Sequence, residues 1–444
     1  MSVLALAAVI ALAPTAGIAV DPNTKYQKWD GWGTSLCWWA HVVGTYPPAV
    51  REDLMQKFFG YLKLNIVRYN IAGGENPEHH HMQYRAQLPG YQDKDGNWDW
   101  NADAGQRWVL QRAKELGANR FESFSNSPPY WMTNSGCASG GHDGKDNLPA
   151  KNYDAFAKYL VTVNEHFRKY WGITFETLEP LNEPHVDWWP YGGRQEGCRV
   201  PMGEAQSGVI EAVARELAKA KSPTKIAASD ESVIDTAVKS WDALTPGAKD
   251  LVWRINTHHY GGNKQKELAQ RAAEYRKRLW MSEEGNNDAS GMEMAGKIVH
   301  DVRDMKPSAW IYWQVIDTTG SNWGFLDMDL NNRGETYVTH KKFFVMGNFS
   351  RFVQPGATII DVADDHTIAS LKDRELVLVS VNKGAERPVS FDLSAFSRAG
   401  RDPVQVFVTD PTHDLSPMPS ATVTNKTLST TLSADSVTTF VIRV

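Results

Sequence analysis

The 444-residue chain has few cysteines, no strong excess of one charge and, past its first residues, no long apolar run. Three cysteines, Cys37, Cys137 and Cys198, neither make a disulfide scaffold nor show the clustered spacing of a metal site. A formal net charge of -5 with no long basic run argues against a surface built for nucleic-acid phosphates. A membrane span needs roughly 20 consecutive apolar residues, and no segment after the N-terminus supplies them. No Gly-rich dinucleotide or phosphate fingerprint follows any candidate strand. A Gly-x-Ser-x-Gly elbow followed in order by Asp and His is also missing, which argues against a lipase or esterase.

What is present starts with the opening run MSVLALAAVIALAPTAGIA, which polar Asp21-Pro22-Asn23-Thr24 soon follows. Small residues Gly17 and Ala19 suit cleavage just after Ala19, so 1–19 reads as a signal peptide and the protein as secreted and extracellular. The run carries no Lys or Arg and is interrupted by Pro14, so an uncleaved N-terminal anchor is the alternative. In an exported chain Cys137 and Cys198, both in Gly-rich loops, can pair and leave Cys37 buried and free. Asn348-Phe349-Ser350 and Asn425-Lys426-Thr427 are sequons, which count only in a eukaryotic secretory pathway.

From about residue 31 to 345, short β-rich runs alternate with amphipathic helical segments. Strand candidates are 31–37, 65–71, 120–126, 176–183, 225–231, 255–261, 279–285 and 309–315. In the helical segment EAQSGVIEAVARELAKAK, Val209, Val213, Leu217 and Ala220 fall on one face. Eight such alternations predict a (β/α)8 TIM barrel over 31–352, with a doubly wound open sheet as the alternative. Beyond about 353 the texture changes to short strands punctuated by Thr, Ser, Pro and Gly, which predicts a β-sandwich side domain over 353–444. The N-terminal segment 20–30 can add a strand to it.

Barrel chemistry sits at the C-terminal ends of the strands. Leu181-Asn182-Glu183-Pro184 ends the fourth candidate strand, and Trp280-Met281-Ser282-Glu283-Glu284-Gly285 ends the seventh. Each acid alone reads as an ordinary strand-end carboxylate. Together they can flank a glycosidic bond, and retaining hydrolysis needs such a pair about 5–5.5 Å apart. Side chains alternate along a strand, so if Met281 points inward Glu283 does too, and Glu284 points away. His258 and Tyr260 share a face of the sixth strand, where a Tyr hydroxyl can hold a carboxylate ionised. Arg68, in an otherwise apolar second strand, calls for a carboxylate partner, whether in the site or in a structural ion pair. Asn182 can reach a sugar hydroxyl, and Trp313 can floor the sugar site beside Gln314.

Seventeen tryptophans are an unusual number, and flat aromatic rings suit the apolar faces of sugars as well as cores. Trp38, Trp39, Trp131, Trp188, Trp189 and Trp323 lie in or beside loops at the expected mouth, and about half are expected to touch sugar. Asp230 and Glu231 end strand five, either as sugar ligands or as caps of the next helix. His79-His80-His81 reads as a polar loop over the cleft, since adjacent histidines do not readily converge on one ion. No metal or cofactor is expected.

At this point the motifs resemble glycoside hydrolase family 30, of clan A. GWGTSLCWW, NIVRYNIAGGE, SNSPPYWM, LEPLNEP, THHYG, LWMSEEG and AWIYWQ are similar, in order, to its barrel strands. KKFFVMGNFSRFVQPGA resembles its link into the side β-domain, so the likeness runs from about residue 25 to the C-terminus. The resemblance implies retention, with Glu183 as acid/base and Glu283 as nucleophile, and carries over Arg68, Asn182, His258 and Tyr260 as site residues. ENPEHHHMQYRAQLPGY and FSNSPPYWMTNSGCASGG are similar to the endo-β-1,6-galactanase subgroup, although QYRAQ departs from it. The implied substrate is β-1,6-galactan, such as arabinogalactan side chains. Another β-linked glycan (β-1,6-glucan or xylan) and a non-catalytic carbohydrate-binding protein are the alternatives. A monomer acting on a polysaccharide or oligosaccharide is expected.

Overall fold

The computed structural model describes residues 17–444. After an N-terminal strand β1 (Ile18–Lys28), eight parallel strands close into a barrel. They are β2 (Gly31–Ser35), β3 (Ile66–Asn70), β4 (Arg120–Phe124), β5 (Thr177–Glu179), β6 (Lys225–Glu231), β7 (Val252–His258), β8 (Arg278–Glu284) and β9 (Ala309–Gln314). β9 pairs back onto β2, so the sheet is a closed TIM-like barrel rather than an open doubly wound sheet.

The helices between the strands bury one face each, as amphipathic segments must. Tyr153–Tyr170 turns Phe156, Leu160, Val163 and Phe167 inward, and Glu204–Ala220 turns in Val209, Val213 and Leu217. The barrel's own interior is layered. Ile66, Trp280, Ala309 and Ile311 form an apolar plug. Nearer the mouth the inward residues are charged or polar: Arg68, Glu122, Arg254 and Asn256 are fully buried. That polar layer supports the site.

The side domain is a ten-stranded array in which β1 joins two faces. β1 pairs antiparallel with Thr358–Val362, and its first residues pair parallel with Arg387–Asp392. Val20, Leu376, Leu378, Phe391 and Phe440 fill the space between the faces. The strand Glu375–Asn382 is buried on both sides: Leu376 and Leu378 face that core, while Val377, Val379 and Val381 pack into the barrel's cluster. This is why the run LVLVSV is apolar without alternation.

The signal-peptide segment falls mostly on residues outside those described. Its expected cut after Ala19 lies within β1, where Ile18 pairs with Phe391 and Ala19 with Asp392.

Two expectations are corrected. Cys137 and Cys198 are free thiols. The Cys137 Sγ is taken up by His81 Nε2 at 3.1 Å and Ser139 Oγ at 3.0 Å, while the Cys198 Sγ turns to the Arg199 carbonyl at 3.8 Å. Asn348 is no glycan acceptor in the folded chain: it is fully buried, and its amide donates to Thr439 Oγ1 at 3.0 Å. Asn425 is exposed in a turn. Expression through a eukaryotic secretory host, read by glycopeptide mass spectrometry, is expected to find a glycan at Asn425 and none at Asn348. Asn348→Gln should lower the melting temperature, since stranding a buried hydrogen-bond partner costs about 1–3 kcal/mol.

Candidate active site

Two glutamates meet across the barrel mouth. Glu183 lies four residues past the end of β5, in a left-handed backbone conformation (φ 45°). Its N–H donates to the Asp230 carbonyl at 2.9 Å and its own carbonyl accepts from Trp189 Nε1 at 3.1 Å. Glu283 ends β8. The alternation argument reached it from a wrong premise. Trp280, not Met281, points into the barrel, where it stacks under the Arg254 guanidinium at 3.3 Å. Met281 joins the layer between strands and helices. A register shift after Met281 and Thr257 then returns Glu283 to the mouth. Glu284 faces outward and binds Lys297 at 3.0 Å.

His258 stands between the two acids. Its Nδ1 lies 3.1 Å from Glu183 Oε1 and 3.4 Å from Glu283 Oε1, and its Nε2 lies 3.4 Å from Asp230 Oδ1. One oxygen of each glutamate and one ring nitrogen lie within 4.8 Å of one another. That spacing alone would also admit a metal ion. Burial opposes charge on His258, but Glu283 and Asp230 outweigh it and push its pKa up to about 10. With His258 protonated at neutral pH, the cluster is a network of one cation among carboxylates.

Arg68 completes the network. It donates to Glu283 Oε2 at 2.9 Å, to Glu122 Oε1 at 3.0 Å and to Asp230, and lies 4.2 Å over the Phe124 ring. Tyr260 donates to Glu283 Oε1 at 2.9 Å. Burial raises the Glu283 carboxyl above its ordinary value, with His258 and Arg68 pulling the other way. Each Glu283 oxygen thus has a donor, and the carboxylate is aimed rather than free to rotate.

Above these groups lies a cleft of about 520 Å³, lined by Trp38, Asn182, Glu183, Trp188, Trp189, Tyr260, Glu283, Trp313, Gln314 and Trp323 among others. Of the expected substrate ligands, Arg68, His258, Asp230 and Glu231 do not line it. All four are fully buried beneath the mouth. Asp230 binds Arg68 and Ser282, and Glu231 accepts from Gln206 at 3.0 Å and the His185 N–H at 3.2 Å. Trp39 is a core residue, donating to the Ser35 carbonyl and packing on Phe58. Trp131 packs on Tyr130 and against the core, away from the cleft lining. Of the three adjacent histidines, His79 packs edge-on against Tyr191 and His81 bonds Gly193 and Cys137.

A model described as O-Glycosyl hydrolase family 30 matches residues 15–250. The chain is also 34% identical over 414 residues to an endo-beta-1,6-galactanase of Hypocrea rufa, spanning 86% of this chain and 84% of that protein. The chain belongs to O-glycosyl hydrolase family 30. An exo-beta-1,6-galactobiohydrolase of Bifidobacterium longum subsp. longum is 27% identical over 415 residues, 68% of this chain and 27% of that protein. A crystal structure of a conserved exported protein from Bacteroides fragilis shares the fold, with a TM-score of 0.83 at 20% identity over 96% of this chain and 100% of that one. For a family 30 glycosidase the two facing carboxyls suit retention, because inversion needs a gap of about 6.5–9.5 Å for water.

Several residues of this family 30 site were not singled out by sequence. Glu122 was findable: it is an acid within a barrel strand, in direct register with Arg68 on the neighbouring strand. Arg254, bound to Glu122, carries the same signal on β7. Glu179 and Glu196 gave none. Burial, then Asp230 and Glu122, push the Glu179 carboxyl well up, and neither of its oxygens has a partner. Glu196 is raised to about 7 by burial, against donors from Asn70, Gly73 and Gly74.

The His258 shift has a definite sign. Between pH 6.5 and about 10 the folded chain keeps a proton that the unfolded chain has released, so stability falls progressively as pH rises through that window. His258→Gln is expected to be less stable at pH 7, with a flatter pH dependence across that range. Thermal unfolding at a series of pH values checks this, and parallel curves for the two proteins would contradict it.

Proposed function

We propose that the protein is a secreted, retaining endo-β-1,6-galactanase, with Glu283 as nucleophile and Glu183 as acid/base. The observation that carries the mechanism is the pair of carboxyls held within 4.8 Å of each other and of one His258 ring nitrogen, at the foot of an open cleft. Glu283, fixed by Arg68 and Tyr260, attacks the anomeric carbon. Glu183 gives its proton to the glycosidic oxygen, and the leaving chain departs with it. A glycosyl ester forms on Glu283. Glu183, now a carboxylate, takes a proton from water, whose oxygen displaces the ester and restores the starting configuration. His258, within reach of both acids, supplies positive charge as negative charge moves from one glutamate to the other.

Support for β-1,6-galactan is the 34% identity to a named endo-beta-1,6-galactanase over most of both chains. An endo mode is favoured by the cleft's spread: Trp188, half exposed, flanks Glu183, while Trp38 and Trp313 lie on the other side near Glu283. Secretion rests on the apolar opening run and the small residues before Val20. A monomer is favoured because one chain supplies the whole cleft.

A panel of β-1,6-galactan, β-1,6-glucan, xylan and aryl glycosides tests the substrate. Hydrolysis of β-1,6-galactan to a ladder of oligomers is expected, and a preference for glucan or xylan would overturn the assignment. Glu183→Gln and Glu283→Gln should each lower turnover by several orders of magnitude without a matching loss of stability. Near-normal activity in either variant would remove that role. Proton NMR at early times should show the β-anomer released first, and initial α-anomer would rule out retention.

A further inference from the structure

The segment QYRAQ places Arg85 in the wall of the cleft. Its neighbours Ala86 and Leu88 are anchored in a small apolar cluster with Trp38, Ala72 and Phe124, against which Trp313 packs. The Arg85 Nη1 lies 2.8 Å from Asp317 Oδ1, and its Nε donates to Gln83 Oε1 at 3.1 Å. Asp317 Oδ1 also accepts the Thr318 N–H at 2.6 Å. Gln314, next along the wall, accepts through Oε1 from the Trp38 N–H at 3.1 Å and from Arg85 Nη1 at 3.4 Å. Arg85 and Asp317 keep 15% and 7% of their side chains exposed, enough to present polar atoms to the cleft yet largely shielded from solvent.

Among the described residues lining the cleft, the only charged side chains are Glu183, Glu283, Arg85 and Asp317. The first pair carries the reaction. Barrel order puts β9 and β2, which bear Gln314 and Trp38 at their ends, on the Glu283 side. That is the side of the sugar whose anomeric carbon is attacked. Galactose and glucose differ only in the orientation of the 4-hydroxyl. Hydrogen bonds from charged groups discriminate hydroxyls more strongly than neutral ones do, and a site built to bond a hydroxyl leaves its own polar groups unpaired when the hydroxyl is elsewhere. We propose that the Arg85–Asp317 pair, steadied by Gln314, reads the axial 4-hydroxyl of the galactose unit on the nucleophile side of the scissile bond and so selects galactan over its 4-epimer. This rests on the galactanase reading above. Asp317 accepts the hydroxyl proton, Arg85 donates to the hydroxyl oxygen, and Trp38 and Trp313 bound the ring.

The test compares kcat/KM for 4-nitrophenyl β-1,6-galactobioside with that for the disaccharide inverted at C4 of the unit bearing nitrophenol. Wild type is expected to favour the galacto compound. Asp317→Asn and Arg85→Gln should each reduce the galacto-to-gluco ratio by about tenfold or more, through loss on the galacto compound alone. Melting temperatures taken alongside identify variants that have merely lost structure. An equal fall on both substrates, or no change on either, would overturn the proposed recognition while leaving the galactanase reading intact. A wild-type enzyme that prefers the gluco compound would instead overturn the galactanase reading, and this inference with it.

Discussion

A guanidinium without water at the centre of a barrel has to find carboxylates, and Arg68 reaches three of them: Glu122, Asp230 and Glu283. They come from β4, β6 and β8, so one side chain ties strands on different sides of the barrel to the nucleophile. Asp230 in turn faces His258, and His258 faces both glutamates. Buried ion pairs are weak evidence for stability, because desolvation cancels much of their attraction. Their consequence here is geometric. Each Glu283 oxygen meets a donor fixed from below, and the carboxylate faces the cleft in one orientation, which is what preorganised catalysis requires.

The same logic runs outward to the loops. Lys342, on the helix Lys341–Ser350 that precedes the side domain, is fully buried and donates to the Asn286 carbonyl at 2.8 Å, the Asn322 carbonyl at 2.7 Å and Tyr312 Oη at 3.0 Å. Burial lowers its pKa to about 8, against the pull of Glu284 and Asp288. It thereby joins the loop leaving Glu283 to the loop carrying Trp323, a wall of the cleft. Opposite, Glu196 holds the N–H groups of Gly73 and Gly74. The mouth is therefore braced on two sides by buried ionisable groups that never touch the cleft.

The barrel was legible because each β-rich run alternates with an amphipathic helix, and that pattern survives local error. The last strand-end motifs were legible too, since Asn182-Glu183 and Glu283 stand where barrel chemistry is expected. What stayed hidden depended on geometry that residue type does not encode. Strict alternation tied an inward Glu283 to an inward Met281, and the register shift in β8 breaks that tie. Asp230 and Glu231 looked like cleft ligands because they end a strand, yet they serve partners below and behind the mouth. Trp39 and Trp131 could not be separated from Trp38 and Trp188 by sequence, since a loop tryptophan packs or stacks according to which way its backbone turns. Glu122 and Arg254 could have been found, as opposite charges within barrel strands call for one another.

The account turns on Glu283 being the group that becomes covalently bound to sugar, with Glu284 beside it serving Lys297. The most direct measurement is to trap the intermediate with an activated 2-deoxy-2-fluoro β-galactoside, whose slow second step lets the ester accumulate. Peptide mass spectrometry then locates the label. The account predicts one sugar per chain, attached to Glu283 and absent in Glu283→Gln. A label on Glu284 or Glu183, or steady turnover with no covalent adduct, would contradict it.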